Sequence, residues 1–158
     1  MKQEYSSKDT SISVVNKVYK QYNFLPFTTV LDYGGGKYDK NKDYMKQYLV
    51  KVSVYDKYNR SEEENRLALS VAHYDYLVCS NVLNVIKEDE VIDEILKHMI
   101  SINADLYLFT VYEGDKSGKG KVTKKGYQRN QKLNFYYSLL EHYFSTVSNQ
   151  KGILVCKK

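Results

Sequence analysis

The chain lacks features that mark several large classes of protein. Its 158 residues include no tryptophan, one proline and two cysteines. Cys79 and Cys156 lie in apolar, strand-like runs without a partner at metal-ligand spacing, which argues against both a disulfide framework and a zinc site. Three scattered histidines (His73, His98 and His142) add no metal pattern. The sequence therefore predicts no bound metal.

Long hydrophobic runs are also missing. No segment approaches the roughly 18 apolar residues that a membrane-spanning helix requires, and the first residues, MKQEYSSKDTSIS, do not resemble a signal peptide. A 42% apolar fraction can fill one core, and the length suits one domain better than two. We expect a single soluble domain over 1–158, located in the cytoplasm and without membrane contact.

Hydrophobic periodicity alternates between short strands and helices. Predicted strands cover 27–31, 51–55, 74–80, 104–112 and 152–157, and predicted helices cover 10–21, 39–49, 62–72, 87–102 and 127–143. Ser61 and Glu64 have the spacing of a capping box at the start of the third helix. The alternation predicts an α/β fold of the Rossmann-like kind, a mostly parallel sheet with helices on both faces.

The spacing within each predicted helix indicates which side chains enter the core. The first helix would begin after a cap at Thr10 or Ser11. Inward-facing side chains are expected at Tyr44, Met45 and Tyr48 on the second helix, Leu67, Leu69 and Val71 on the third, and Val91, Ile92, Ile95, Leu96 and Met99 on the fourth.

The most informative segment is V-L-D-Y-G-G-G at 30–36. A strand that ends in Asp32 and runs into Gly-x-Gly forms a tight turn whose missing side chains let a ligand approach the backbone. Asp56 follows Gly36 by 20 residues and ends the next predicted strand, where a carboxylate can accept hydrogen bonds from a ribose diol. Any strand-to-helix turn can use glycine, but this combination predicts a nucleoside-containing ligand.

The same residues resemble the first motif of class I S-adenosylmethionine-dependent methyltransferases. That motif is an acid, any residue, Gly, any residue and Gly, and it is matched by Asp32, Tyr33, Gly34, Gly35 and Gly36. The dinucleotide pattern fits less well because its third glycine would fall on bulkier residues. Since S-adenosylmethionine has no phosphate, an acid beside the glycines is chemically sensible.

The resemblance implies S-adenosyl-L-methionine as the cofactor. It implies that Asp32 contacts the methionine moiety, that the glycines of 34–36 line it and that Asp56 holds the ribose. Asn81, which follows the third predicted strand, would line the sulfonium end of the pocket. Turn formation or helix capping is the alternative role for Asn81.

The chain departs from the family where an outer strand usually stands. Only 17 residues separate Asp56 from Tyr74, which leaves room for one helix. We therefore expect a trimmed class I methyltransferase fold, with the adenine pocket built from Tyr58, Asn59 and Arg60. Several stretches, among them LDYGGGKYDK and CSNVLNVIKEDEV, further resemble small methyltransferase-like proteins of bacteriophages.

Candidate catalytic residues follow the fourth predicted strand. Glu113 could take a proton from the acceptor while Tyr112 shapes the acceptor slot, although Glu113 could equally pair with a lysine of the adjacent loop. The Pro-Cys pair of cytosine C5 methylases and the Asp/Asn-Pro-Pro-aromatic motif of exocyclic-amine methylases are both absent. The acceptor is therefore left open.

Charge is distributed unevenly around a net value of +5. Residues 61–94 hold nine acids and two bases, whereas 115–132 hold seven bases and one acid. The second stretch has the polar, glycine-rich composition of a mobile surface loop. It is either a solvated loop or a clamp for a polyanion such as nucleic acid, with the candidate contacts Lys121, Lys124, Lys125 and Arg129.

Two other functions fit the same pocket. One is an enzyme that cleaves S-adenosylmethionine by hydrolysis or a lyase reaction, and the other is a non-catalytic protein that binds it or inhibits its use. The leading expectation is a methyltransferase of unknown acceptor.

Overall fold

The computed structural model describes residues 14–158. Its strands are β1 (Thr29–Tyr33), β2 (Lys51–Tyr55), β3 (Tyr74–Ser80), β4 (Ala104–Thr110), β5 (Lys121–Thr123), β6 (Gly126–Gln128), β7 (Thr146–Gln150) and β8 (Ile153–Lys157). Its helices are α1 (Lys17–Gln21), α2 (Lys40–Lys46), α3 (Glu62–Leu69), α4 (Asp89–Ser101) and α5 (Leu133–Glu141). No helix within 14–158 is both long and apolar enough to cross a membrane.

Six strands form one sheet in the order β2-β1-β3-β4-β8-β7. The first four run parallel, and β8 is antiparallel to both β4 and β7. The strand that precedes the glycines therefore lies beside β3, which confirms the expected neighbourhood of Asp32 and Ser80. The α/β fold with a mostly parallel sheet is confirmed.

Helices cover both faces of the sheet, as expected. One core contains Ala68 of α3, Leu96 of α4 and Tyr136 of α5. The opposite core contains Val18 of α1 and Met45 of α2. Leu77 of β3 belongs to the first core and Val78 to the second, so successive side chains of this central strand are buried on opposite faces.

The sheet is trimmed where the sequence predicted it. Residues 57–73 contain α3 and no strand, so β2 is an edge of the sheet. The predicted capping box starts α3, with the Ser61 hydroxyl accepting a hydrogen bond from the Glu64 amide at 3.1 Å. The assignment of 1–158 to a single domain stays a prediction.

Several predicted core positions are wrong because of this trimming. Leu67, Leu69 and Val71 are 52%, 38% and 41% exposed, and the buried residue of α3 is Ala68. Beside an edge strand, α3 has no second layer to cover its outer face. Tyr48 is also exposed, because α2 ends at Lys46 before reaching it.

Element boundaries differ from prediction at both ends of the chain. α1 begins only at Lys17, after Asn16 in an extended conformation, and the predicted caps Thr10 and Ser11 lie outside the described residues. The first strand is displaced to 29–33, with Phe27 at φ 62° before it. β7 was missed because its sequence, TVSNQ, is polar and mostly exposed, so it carries no strand-like apolar alternation.

The basic segment 115–132 contains a β-hairpin at 121–128, where the sequence predicted a surface loop. β5 and β6 pair antiparallel across Lys121–Gln128 and Thr123–Gly126, so α5 cannot begin at 127 and starts at Leu133. The buried Asn130 fixes the preceding loop, since its Nδ2 donates to the Lys119 carbonyl at 2.9 Å.

Candidate cofactor and acceptor site

A cavity of about 430 Å³ opens where β1, β2 and β3 end, within the size range of small-molecule sites. Its wall contains the residues predicted from the sequence to bind a cofactor: Asp32, Gly34, Gly35, Gly36, Asp56, Tyr58 and Asn81. Tyr112 also lies on the wall, whereas Glu113 lies outside the wall that residues 14–158 form. The sheet thus gathers four sequence-distant segments at one place.

The glycine turn has no room for side chains. Gly34 has φ 74°, and a Cβ atom there would lie 2.5 Å from Cγ2 of Val82. A Cβ at Gly35 would lie 2.7 Å from the Asp32 carboxylate. The Gly34 amide donates to the Tyr55 carbonyl at 2.7 Å, which closes the turn against β2. The turn therefore presents bare backbone to the cavity.

Asp32 is a buried carboxylate beside this turn, with 2% of its surface exposed. Its Oδ2 accepts a hydrogen bond from Asn41 Nδ2 at 3.1 Å, and the same nitrogen donates to Asn16 Oδ1 at 2.7 Å. Burial raises the pKa of Asp32 to about 6, and the hydrogen bond from Asn41 and the nearby Tyr19 hydroxyl oppose that rise. The neighbouring donors therefore offset only part of the cost of burying a charged Asp32 carboxylate.

Asp56 ends β2 and joins it to the glycine turn. Its Oδ2 accepts from the Gly36 amide at 2.8 Å, and its Oδ1 accepts from the amides of Tyr58 and Asn59 at 3.0 and 3.1 Å. Asn65 brackets the backbone of Asp56 with a hydrogen bond on each side. Since Oδ1 is saturated by the protein, Oδ2 is the oxygen with capacity for a ligand hydroxyl.

Arg60 has a different place from the one expected. It does not line the cavity, and its side chain is 9% exposed. The guanidinium donates to the carbonyls of Gly36 and Tyr38 at 2.7 and 2.9 Å and pairs with Asp39 at 2.7 Å. It thus holds the exit of the glycine turn, while Tyr58 and Asn59 remain on the cavity wall.

The turn after β3 brings two asparagines to the cavity. Asn81 has φ 58°, and its amide donates to the Thr110 carbonyl at 2.8 Å, which fits the turn-forming alternative without excluding ligand contact. Asn84 lies in the 3₁₀ turn Leu83–Val85, is 2% exposed and has a side-chain Oδ1 without a hydrogen-bond partner in the described part of the chain.

Of the two candidate catalytic residues, only Tyr112 lies on the cavity wall that residues 14–158 form. It is 62% exposed. Glu113 accepts from the Leu133 amide at the start of α5 at 2.8 Å, and its other oxygen lies 4.0 Å from Lys116 Nζ. These contacts match the alternative role given to Glu113, the pairing with a loop lysine, and account for its position without a catalytic role.

The basic hairpin borders the cavity through Gln128. Arg129 is not available as a phosphate contact, because its guanidinium donates to the carbonyls of Ile86 and Lys87 and pairs with Asp89 at 2.6 Å. Its side chain is 10% exposed.

The three lysines differ from Arg129 in being open to solvent. Lys121 pairs with Asp115 at 3.5 Å with 69% of its side chain exposed. Lys124 and Lys125 are exposed at the hairpin turn. These lysines therefore remain candidates for a polyanion contact.

One group of possible metal ligands lies at the amino-terminal ends of β3 and β4, away from the cavity. His73, Asp75 and Asp105 offer ligand atoms within 4.8 Å of one another. His73 Nε2 and Asp105 Oδ1 are 2.8 Å apart, and Asp75 accepts from the Thr29 amide at 2.7 Å. The pairing of His73 with Asp105 and the hydrogen bond between Asp75 and Thr29 explain why these side chains lie together without a metal ion.

Sequence reasoning missed several wall residues, including Asn16, Asn41 and Tyr55. Asn41 carried a usable signal, since it is a polar residue on the first helix after the motif and is buried next to Asp32.

Comparison with protein-family models and with curated protein sequences finds no match. Among solved structures, the chain is similar to 1,6-didemethyltoxoflavin-N1-methyltransferase of Burkholderia thailandensis, crystallised with 1,6-didemethyltoxoflavin and S-adenosylhomocysteine. The TM-score is 0.61 at 17% identity, and the match covers 85% of this chain and 72% of that one. The likeness establishes that this chain shares the Rossmann-like α/β fold of that structure.

Proposed function

We propose that the protein is an S-adenosylmethionine-dependent methyltransferase. The observation that carries the proposal is the buried Asp32 carboxylate beside a glycine turn without side chains, at the carboxyl ends of parallel strands. The similar methyltransferase that holds S-adenosylhomocysteine supports this assignment.

The residues present fit the cofactor. Asp32 has a neutral hydrogen-bond donor, Asn41, and a raised pKa, so a ligand ammonium group would compensate a charge that the protein compensates only in part. Asp56 Oδ2 would accept a hydrogen bond from a ribose hydroxyl. Tyr58 and Asn59 would border the adenine, since both line the cavity beyond β2.

When bound, S-adenosylmethionine would supply an electrophilic methyl carbon. An electron pair of the acceptor would form the new bond to this carbon, and the electrons of the broken carbon–sulfur bond would remain on sulfur. The chain's own contribution is to hold the acceptor in line with that carbon, because positioning is the main requirement of such a transfer. Tyr112 is the residue proposed to shape this position. An acceptor proton would leave to water at the open mouth, since Glu113 is occupied at the start of α5.

A nucleic-acid acceptor is the finer form of this proposal. Lys121, Lys124 and Lys125 project from the hairpin whose last strand reaches the cavity at Gln128. Replacing the three lysines by Ala should weaken binding of single-stranded DNA or RNA and flatten its salt dependence, because fewer counterions are released. Fluorescence anisotropy across a salt series measures both effects. An unchanged slope, or no binding at low salt, would remove nucleic acid as the acceptor.

The cytoplasmic location and the relation to bacteriophage proteins remain expectations from the sequence alone. The proposal that this chain turns over its cofactor does not depend on either.

Product analysis tests the proposed reaction. Purified protein is incubated with S-adenosylmethionine carrying a labelled methyl group and with pools of DNA, RNA, protein and small metabolites. We expect S-adenosylhomocysteine and label in one pool, both lost in Gly34→Val. Methylthioadenosine or another cleavage product without transferred label would identify a cleaving enzyme, and binding without product would identify a non-catalytic protein.

A further inference from the structure

Asn84 holds an unused polar group in the wall of the cavity. It is 2% exposed, and its Oδ1 has no hydrogen-bond partner within residues 14–158. A buried amide oxygen without a partner is unfavourable, and such groups in folded proteins call for an explanation. The proposed cofactor contacts, at Asp32, the glycine turn, Asp56, Tyr58, Asn59 and Asn81, do not include the Asn84 side chain.

The backbone around Asn84 is fixed from the hairpin side. The Asn84 carbonyl accepts from the Arg129 amide at 2.9 Å, and Arg129 Nε donates to the Ile86 carbonyl at 2.5 Å. Arg129 therefore holds the backbone at Asn84 and at Ile86, directly after the 3₁₀ turn. Such fixation keeps a binding group in place before its ligand arrives.

Two other wall residues come from the segments that follow β4 and end β6. Tyr112 offers an exposed ring, and Gln128 offers a second side-chain amide. All three groups, those of Asn84, Tyr112 and Gln128, are uncharged. Their common chemistry is planar stacking combined with neutral hydrogen bonding.

A carboxamide has a carbonyl acceptor and N–H donors side by side in one plane. That arrangement is complementary to a ring edge on which a donor and an acceptor are adjacent, as in the pairing of Asn with adenine. A tyrosine ring adds a stacking surface that tolerates different bases. A purely aliphatic acceptor would leave these groups unused.

We propose that the Asn84 carboxamide binds the methyl acceptor, and that this acceptor is a planar nitrogen heterocycle with a hydrogen-bond donor and acceptor on adjacent ring positions. The inference rests on the proposed methyltransferase function. The heterocycle is either a free small molecule or a base of a single-stranded nucleic acid.

Asn84→Leu provides the test, because leucine has a similar size and no polar atoms. If the Asn84 carboxamide is unpaired until a ligand binds, it destabilises the free protein. Replacing it by Leu should then raise the melting temperature by about 2–4 °C. Binding of the heterocycle to the S-adenosylhomocysteine complex should fall on the order of 10- to 100-fold. S-adenosylhomocysteine affinity should stay within about threefold. Asn134→Leu, at an exposed asparagine of α5, is the matched control and should change neither binding step.

The probes are the four ribonucleosides and a short single-stranded DNA of mixed sequence, each titrated into the S-adenosylhomocysteine complex. Nucleoside binding that Asn84→Leu abolishes supports a free heterocycle, and DNA binding alone that it abolishes supports a base in a strand. A lower melting temperature in Asn84→Leu would assign the residue a structural role and overturn the inference. If no probe binds while S-adenosylhomocysteine still does, the inference about Asn84 is overturned and the cofactor assignment stands. If the wild type does not bind S-adenosylhomocysteine at all, both the inference and the cofactor assignment are overturned.

Discussion

Replacing Asp32 by Asn should stabilise the free protein while weakening cofactor binding. The carboxylate is 2% exposed, and burial raises its pKa from 3.8 to about 6 against the opposing effect of Asn41. The folded state therefore holds the proton more tightly than the unfolded state. Stability from this group is present below about pH 4 and is lost as the pH rises through 6.

The size of the effect follows from the pKa difference. A pKa difference of about two units corresponds to about 3 kcal/mol of folding stability. At about pH 8 the wild type is less stable by this amount than it would be with Asp32 protonated. The carboxamide introduced by the substitution would be neutral at every pH, and its oxygen could still accept the hydrogen bond from Asn41. Asp32→Asn should therefore raise the free energy of unfolding by about 1–3 kcal/mol at pH 8 and leave it nearly unchanged near pH 4.

Urea unfolding at the two pH values measures the stability change, and calorimetry measures S-adenosylhomocysteine binding. Loss of the ammonium contact should weaken binding on the order of tenfold or more. Asp43→Asn, at a carboxylate that is 65% exposed, is the matched control and should shift stability by only a few tenths of a kcal/mol. A less stable Asp32→Asn protein at pH 8, or one that binds S-adenosylhomocysteine at wild-type strength, would contradict the role assigned to Asp32.

Three further substitutions separate binding, strain and catalysis. Gly34→Ala should destabilise the protein by about 1–3 kcal/mol and impair cofactor binding, because its Cβ would clash with Val82 and its φ is 74°. Gly152→Ala is the control, since φ there is 87° but the surrounding space is open. Its urea unfolding measures the cost of backbone strain alone, and its calorimetric binding should be intact. Glu113→Gln keeps an oxygen for the Leu133 amide, so steady-state turnover should stay within about threefold of wild type, and a hundredfold loss would restore Glu113 as the catalytic base.

Local sequence signals predicted the parts of the fold that depend on local patterns. β2 and β3 have the predicted bounds, because apolar and β-branched runs specify buried strands. The gathering of Asp32, Asp56 and Asn81 at one cavity followed from the rule that parallel strands end at the same edge of the sheet.

The errors arose where long-range contacts decide the structure. The exposed face of α3 results from a missing neighbouring layer, which helical spacing within α3 does not encode. Arg129 carried the charge of a phosphate contact, yet backbone carbonyls 42 and 43 residues away satisfy it. The unpaired state of Asn84 also depends on surroundings assembled from distant segments.

We propose that the cavity beside the glycine turn binds S-adenosylmethionine. Calorimetric titration of S-adenosylhomocysteine into the wild-type protein and into Gly34→Val measures this binding. We expect one site per chain in the wild type and no detectable binding in Gly34→Val, because its Cβ would lie 2.5 Å from Cγ2 of Val82 and displace the turn. No binding to the wild type, or equal binding to both proteins, would contradict it.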